Sequence, residues 1–239
     1  MRDRWRVAVI DSGLADSALA RVAQGDGAGA GAARTTVIGA RRFVDNGYSI
    51  SCEQTVSDPI GHGTTVTRLI CSSSSTGLEL MIGQVLNEHG VTTSASVAAA
   101  MCWAIEARVD LIHISLGLRE DRRVLADAVA RAVGAGCVVV ASTPARGSVT
   151  FPAAYSGVIR ATADARCAEG EISVLGTAQT RFGGCPQDPG HPKSGGASIG
   201  AANVSGVVVA CLVPGSETGS VCAQLTAMAR YRGAEKKLA

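Results

Sequence analysis

Short apolar runs alternate along the chain with longer segments whose apolar positions recur at helical spacing. The short runs predict buried strands: RVAVID (6–11), LMIGQVL (80–86), DLIHIS (110–115) and CVVVAS (137–142). The longer segments between them predict amphipathic helices: 94–108 and 122–136. Strands that alternate with helices indicate βαβ units. We therefore expect an α/β fold of three layers, in which helices cover both faces of a mostly parallel central sheet.

The C-terminal part of the chain contains two further predicted helices. The first, ASIGAANVSGVVVACLV (197–213), is apolar on nearly all sides, which is typical of a buried helix. The second is TGSVCAQLTAMARYRG (218–233), and the last six residues, AEKKLA (234–239), are expected to form a solvated tail. The Gly- and Ala-rich stretch at 24–36 predicts a flexible surface loop.

Composition indicates one well-buried domain that spans residues 1–239. The chain is 46% hydrophobic and 18% charged, and its mean hydropathy is +0.23. The net charge is +2 and the basic residues are scattered, so we predict no nucleic-acid surface. No run of about 18 apolar residues would span a membrane. The N-terminus does not resemble a signal peptide, so a cytoplasmic location is expected.

The cysteines and histidines give no sign of a metal site. The eight cysteines form no CxxC pair, and Cys102, Cys137 and Cys211 lie in apolar segments, where buried free thiols are expected; a disulfide framework stays open. His89, His113 and His191 are isolated from other ligand types. We therefore predict no metal and no cofactor.

Polar residues stand where predicted strands end and predicted helices begin. Asp11 ends the first strand and Ser115 ends a central one, while His62 and Ser198 each begin a helix. In an open parallel sheet, catalytic groups gather beyond the carboxyl ends of the strands. The N-terminus of a helix would stabilise an anion that forms beside Ser198.

Four motifs carry a resemblance to a known family, and they follow one another in the order VIDSG (9–13), GHGTTV (61–66), HISLG (113–117) and GASIGAANVSG (196–206). Across nearly the whole chain, the sequence resembles the subtilisin-like serine proteases, or subtilases. The order of aspartate, histidine and serine is the one known for that fold. The resemblance implies a subtilisin-like fold in which Ser198 is the nucleophile, His62 its general base, and Asp11 the residue that orients the imidazole.

The resemblance also implies how a peptide or protein substrate binds. The substrate would lie as an extended strand between two segments of backbone, with pockets that select its side chains. One segment consists of Ser115, Leu116 and Gly117, and the other of Gly90, Val91 and Thr92.

The chain departs from the family where an asparagine normally helps to form the oxyanion hole. Pro144-Ala145 stands at the position expected for Gly-Asn, and an alanine side chain cannot donate a hydrogen bond. The remaining candidate donors are the Ser198 backbone N–H and Thr143; Ser142 and Arg146 are further alternatives.

Two functions from different classes follow. The first is a selective processing endopeptidase that uses an Asp–His–Ser triad. The alternative is a catalytically weak or inactive subtilase-like protein that binds peptides as a scaffold, which the departure at Ala145 favours. A nucleotide-binding α/β domain is not supported, because the chain has neither GxGxxG after its first strand nor GxxxxGK[ST]. Whether a partner chain is needed stays open.

Overall fold

The computed structural model describes residues 4–18, 35–54, 56–72, 74, 77–190 and 195–234. The loop predicted at 24–36 lies outside these ranges except for its last two residues, and the predicted tail lies outside them except for Ala234. His191 lies outside them as well.

The described residues form one sheet with the strand order β10-β8-β9-β7-β6-β5-β1-β4-β2-β3. The strands are β1 Arg4–Asp11, β2 Thr36–Asp45, β3 Ile50–Glu53, β4 Gly77–Gln84, β5 Leu111–Ile114, β6 Val138–Ser142, β7 Val158–Ala163, β8 Ile172–Val174, β9 Phe182–Gly184 and β10 Tyr231–Arg232. Neighbouring strands are parallel except for the pairs β2–β3 and β8–β9. The predicted mostly parallel sheet is confirmed.

Helices cover both faces of this sheet. They are α1 His62–Ser72, α2 Ser94–Glu106, α3 Arg123–Gly134, α4 Ala197–Cys211 and α5 Thr218–Met228. One apolar cluster joins the sheet to α1, α4 and α5, and a second joins it to α2 and α3. The three-layer architecture is therefore confirmed. No helix in the described part of the chain is long and apolar enough to cross a membrane.

Strand β1 shows how the sequence fixes the layers. Val7 and Val9 face the cluster with α1, α4 and α5, whereas Ala8 and Ile10 face the cluster with α2 and α3. Successive side chains of a strand point to opposite faces, so an all-apolar run is buried on both. Each larger aliphatic side chain contributes about 1.5–3 kcal/mol of burial free energy. This burial anchors the strand that ends at Asp11.

The predicted last helix (218–233) is too long. Helix α5 ends at Met228, and Tyr231–Arg232 forms β10 against β8. Ala229 leaves the helical conformation, with φ −59° and ψ 123°. The chain gains strand hydrogen bonds instead, because Arg230 N donates to Ile172 O.

All eight cysteines lie in the described ranges and all are free. Cys137 and Cys211 are buried, as the apolar segments predict, and Cys102 is partly buried. Burial raises the pKa of the Cys71 thiol to about 12 and that of Cys137 to about 11. A thiol with so high a pKa is a poor nucleophile, so these cysteines serve the core.

Candidate active site

The end of β1 meets the start of α1, and this contact joins two of the predicted catalytic residues. His62 is the first residue of α1, and its Nδ1 lies 2.7 Å from Asp11 Oδ1. Only 1% of the Asp11 side chain is exposed, against 33% of the His62 side chain. A buried carboxylate thus holds one ring nitrogen of a histidine whose ring still reaches solvent.

A network of short polar contacts fixes this meeting point. Ser12 Oγ accepts from Gly63 N at 2.8 Å and donates to Asp58 Oδ1 at 2.7 Å. Asp58 Oδ2 accepts from Thr64 N at 2.7 Å, so this carboxylate serves the unpaired N–H groups at the helix start. A Cβ atom at Gly63 would lie 2.3 Å from Gly13 O, so only glycine permits this approach. Sequence reasoning did not identify Ser12 and Asp58 as positioning residues.

The surroundings of His62 favour its protonated form. The hydrogen bond that the ring donates to Asp11 raises the pKa of His62; burial opposes this, and the charges of Asp11 and Asp58 add to the increase. Within the described part of the chain, Asp11 is the hydrogen-bond partner of this ring, and Nε2 has none. His62 Nε2 is therefore free to take a proton from a neighbouring group.

Ser198 is the second residue of α4 and lies beside the end of β5. Its Oγ donates to the backbone oxygen of Ser115 at 3.1 Å. Gly196 precedes the helix with φ 120°, which favours glycine, and it supplies no side-chain cap for the first N–H groups of α4. Among the described residues, no hydrogen bond joins Ser198 to His62. The structure thus pairs Asp11 with His62 but holds the Ser198 hydroxyl on Ser115, the residue that follows β5.

Close packing fixes α4 on the sheet. A Cβ atom at Gly200 would lie 2.4 Å from both Ala163 Cα and Thr162 O, so the helix backbone touches β7 directly. Further along α4, the Asn203 side chain donates to Cys185 O at 2.9 Å and secures the segment before the helix. The start of α4 is therefore held in place from two sides.

An ion pair ties the segment before α4 to the helix that carries His62. Arg68 of α1 contacts the fully buried carboxylate of Asp188. A buried carboxylate without a cation would be costly, so this pair is fixed in place. Sequence reasoning gave no role to either residue, because they are far apart along the chain.

His113 belongs to the site, although the sequence predicts it to be isolated. It is fully buried, with Nδ1 2.7 Å from Ser205 Oγ of α4 and Nε2 2.5 Å from Ser115 Oγ. Burial, and to a lesser extent the charge of His62, lowers the pKa of His113 to about 3. A polar ring inside an apolar strand was the available signal, because both its nitrogens need partners.

The two predicted substrate-binding segments differ in their position relative to Ser198. Ser115, Leu116 and Gly117 directly follow β5 at the Ser198 hydroxyl. Gly90, Val91 and Thr92 belong to no strand, because Asn87 N bonds Val91 O and closes a turn. Val91 is exposed, and within the described ranges no hydrogen bond joins this second segment to Ser198.

Some of the candidate oxyanion donors are free to bind a substrate oxygen, and others are not. Ala145 is exposed in the loop after β6. The Thr143 backbone N–H donates to Ala161 O at 2.9 Å and is therefore occupied. Within the described ranges, the Thr143 hydroxyl has no hydrogen-bond partner, which leaves it and the Ser198 N–H as candidates. No group of three or more metal-binding side chains occurs in that part of the chain.

Together, the mostly parallel sheet, the helices on both of its faces, and the Asp–His pair beyond the sheet edge define a subtilisin-like α/β fold. Comparison with known proteins agrees. The model of the subtilase family (Peptidase_S8) matches residues 3–213, so the chain belongs to the subtilase family.

Several curated proteases are similar in sequence. The chain is 33% identical over 168 residues to the thermostable alkaline protease of Halalkalibacterium halodurans, covering 66% of this chain and 41% of that protein. It is 29% identical over 199 residues to the major intracellular serine protease of Bacillus subtilis, covering 73% of this chain and 61% of that protein. It is 30% identical over 132 residues to subtilisin DY of Bacillus licheniformis, covering 49% and 48%. The chain thus spans roughly half the length of these relatives.

Proposed function

We propose that this chain is a serine endopeptidase that hydrolyses peptide bonds with Ser198 as nucleophile, His62 as general base and Asp11 as its orienting acid. The observation that carries this proposal is the 2.7 Å contact between Asp11 Oδ1 and His62 Nδ1. Membership of the subtilase family supports the same assignment.

In the proposed reaction, Ser198 Oγ attacks the substrate carbonyl and passes its proton to His62 Nε2. Asp11 stabilises the imidazolium that forms. His62 then gives the proton to the leaving amine as the C–N bond breaks, which leaves an acyl-enzyme. A water molecule attacks this ester, again with His62 as base, and releases the acid product and Ser198.

The reaction requires the Ser198 hydroxyl to leave Ser115 O, to which it donates at 3.1 Å. Rotation about one side-chain bond redirects Oγ, and catalytic hydrogen bonds are often formed only in the substrate complex. A substrate backbone N–H that donates to Ser115 O would displace the hydroxyl and make it available to His62. Substrate binding and activation of the nucleophile are then the same event.

We further propose that the enzyme is cytoplasmic and processes selected peptide or protein partners, bound as an extended strand. The names of two similar proteins, from Bacillus subtilis and Paenibacillus polymyxa, include the word intracellular. Selectivity would suit a protease that shares a compartment with other proteins. The missing asparagine at Ala145 would also slow turnover.

A fluorophosphonate probe tests the proposal directly. Such a probe reacts only with a serine that a neighbouring base activates, so folded protein is expected to be labelled at Ser198. Peptide mapping by mass spectrometry identifies the labelled residue, and heat-unfolded protein is the control. Absence of label on Ser198 in folded protein would exclude the endopeptidase.

A peptide-binding protein without turnover is the second candidate. The hydrogen bond from Ser198 to Ser115 O favours it, because the hydroxyl proton is then donated to a backbone oxygen and not to His62. The exposed alanine at 145 favours it too. This candidate predicts peptide binding by calorimetry with no product over days, and an affinity that Ser198→Ala leaves unchanged.

Restoring the absent donor is expected to accelerate the enzyme. Ala145→Asn should raise kcat by about tenfold to a hundredfold with little change in KM, because the new amide acts on the transition state; in subtilisin, loss of this donor costs about a hundred- to a thousandfold. Ser148→Asn, in the same exposed loop, is the matched control and should leave kcat unchanged. If both substitutions change kcat equally, or if neither changes it, Ala145 does not occupy the position of the family's asparagine.

A further inference from the structure

Three buried polar side chains join α4 to the end of β5. His113 stands in the middle, with Nδ1 2.7 Å from Ser205 Oγ and Nε2 2.5 Å from Ser115 Oγ. The exposed fraction is 0% for His113 and for Ser205, and 5% for Ser115. Buried polar groups need hydrogen-bond partners, and His113 supplies one to each serine. We call these two contacts the His113 bridge.

The ring of His113 is suited to join two hydroxyl groups because it is neutral. Burial, and to a lesser extent the charge of His62, lowers its pKa to about 3, so the ring carries no charge near neutral pH. A neutral imidazole has one donor nitrogen and one acceptor nitrogen, and a serine hydroxyl can serve in either role. Each ring nitrogen therefore holds one serine, and an apolar side chain at this position would remove both contacts.

Both ends of the His113 bridge belong to segments that also meet at Ser198. The Ser198 hydroxyl donates to the backbone oxygen of Ser115 at 3.1 Å. Ser198 and Ser205 both lie on α4, and positions i and i+7 share one face of a helix. Helix α4 thus contacts Ser115 twice, directly through Ser198 and indirectly through His113.

Ser115 depends on these contacts because it lies beyond the ladder of β5. Within the described ranges, the last ladder pairs of this strand join Ile114 to Ile10 and to Ala141. In the proposed reaction the Ser198 hydroxyl leaves Ser115 O, which removes one of the two links to α4. The buried contact between Ser115 Oγ and His113 remains. It is then the link that keeps Ser115 in place beside α4.

We propose that His113 is a positioning residue, which holds the Ser115 carbonyl where a backbone N–H of the substrate reaches it while the attacked carbonyl lies at Ser198. The inference rests on the proposed function, in which this N–H replaces the Ser198 hydroxyl on Ser115 O. His113 is fully buried and acts through Ser115. Its loss should therefore weaken one substrate contact and leave the reactivity of the Ser198 hydroxyl unchanged.

A pair of substrates isolates that contact. Both are peptides that release a chromophore when the scissile amide breaks, and in the second an ester oxygen replaces the N–H of the residue before that bond. The ester keeps the shape of the peptide but cannot donate to Ser115 O. For wild-type protein, kcat/KM is expected to be about threefold to tenfold higher for the amide peptide, which is the usual contribution of one hydrogen bond.

Variants of the His113 bridge are expected to lose this difference. His113→Leu removes both ring contacts, so kcat/KM for the amide peptide should fall and the amide-to-ester ratio should approach one, as in a double-mutant cycle of coupled groups. His113→Asn keeps a donor and an acceptor and should restore part of the ratio. Ser205→Ala removes one end of the bridge and should lower the ratio about twofold or more.

Ser173→Ala is the matched control. Ser173 is also 0% exposed, but it lies on β8, and three strands separate β8 from β5. This variant should keep the wild-type ratio. A wild-type ratio in Ser205→Ala and in folded His113→Leu overturns the inference. Circular dichroism checks the fold of each variant, and if His113→Leu does not fold, the ratio in Ser205→Ala decides.

Labelling by a fluorophosphonate separates positioning from a general structural role. The probe reacts with the activated Ser198 hydroxyl and has no peptide N–H to donate to Ser115. Folded His113→Leu is therefore expected to be labelled within about threefold of the wild-type rate, although its peptide hydrolysis falls. Equal losses of labelling and of peptide hydrolysis would show that His113 supports the Asp11–His62 pair or the fold, and would overturn the inference.

Binding in a Ser198→Ala background distinguishes failure of this inference from failure of the proposed function. The amide and ester peptides are titrated by calorimetry into Ser198→Ala, alone and combined with His113→Leu or Ser205→Ala. If wild-type protein cleaves neither peptide, but the bridge variants abolish a preference of Ser198→Ala for the amide peptide, the peptidase fails and the role of His113 stands. Cleavage with the same ratio in every variant does the reverse. If no peptide binds and none is cleaved, both proposals fail.

Discussion

Replacing Ser198 by alanine is expected to lower kcat for peptide hydrolysis by about 10⁴-fold. Subtilisin loses roughly a millionfold when its nucleophile is removed. About two orders of magnitude of the subtilisin rate depend on the asparagine donor, which is Ala145 here. The remaining factor is the contribution of Ser198 and His62 acting together. Steady-state hydrolysis of a fluorogenic peptide at enzyme concentrations in the micromolar range would measure it.

Comparing the Ser198 variant with a His62 variant and with the double variant tests whether the two residues act together. A serine without its base is a poor nucleophile, and a base without its nucleophile has nothing to activate. His62→Ala should therefore lose about as much rate as Ser198→Ala, and the double variant no more than either. Ser220→Ala, at an exposed position of α5, is the control for removal of a hydroxyl. A Ser198→Ala protein that retains full activity would refute the mechanism.

The layers of the fold could be predicted because the apolar runs carry the information locally. The strands that end at Asp11 and Ser142 each end in a run of five buried residues, and such apolar runs can be recognised without knowledge of a distant partner. The strands Thr36–Asp45 and Phe182–Gly184 could not be predicted in the same way. The first is only partly buried and carries charged residues, and the second is three residues long. Their conformation depends on pairing with β4 and β7.

In the candidate site, too, local motifs could be predicted and long-range contacts could not. Asp11, His62 and Ser198 could be proposed because each stands at a strand end or helix start within a recognisable motif. The hydrogen bond from Ser198 to Ser115 O could not, because it depends on a side-chain rotation that no pattern encodes. Long-range contacts could not be predicted either, because the partners lie far apart in the sequence: 120 positions separate Arg68 from Asp188. Sequence spacing carries no information about such pairs.

The buried histidine of β5 is expected to make the protein sensitive to acid. The pKa of His113 falls from an ordinary value of 6.5 to about 3 in the folded protein, mainly through burial. Between these values the unfolded chain binds a proton that the folded protein does not, so stability decreases as pH falls through this window. The full loss is on the order of 5 kcal/mol. That is a large part of the stability of a typical domain.

The other carboxyl and imidazole groups whose pKa is shifted do not hide this effect above about pH 4. His62 has a raised pKa, so it is protonated in both states below about pH 6.5, and its stabilisation is lost only as pH rises through its folded pKa. The Gly47 N–H lowers the pKa of Asp45, and this group contributes only below about pH 4. Burial raises the pKa of Asp164, but hydrogen bonds from Arg166 outweigh burial, so the net pKa is lowered. Asp164 therefore also contributes only below about pH 4.

Urea unfolding of wild-type protein and His113→Asn at a series of pH values would measure how the free energy of unfolding changes with pH. Asparagine retains a donor and an acceptor for Ser115 and Ser205 but does not titrate, so the free energy of unfolding should become nearly independent of pH between about 4 and 6.5. His89→Asn changes an exposed histidine and should keep the wild-type slope. The comparison uses slopes, so a lower overall stability of His113→Asn does not affect it. Equal slopes in wild-type protein and His113→Asn would show that His113 is not held neutral by its burial between β5 and α4.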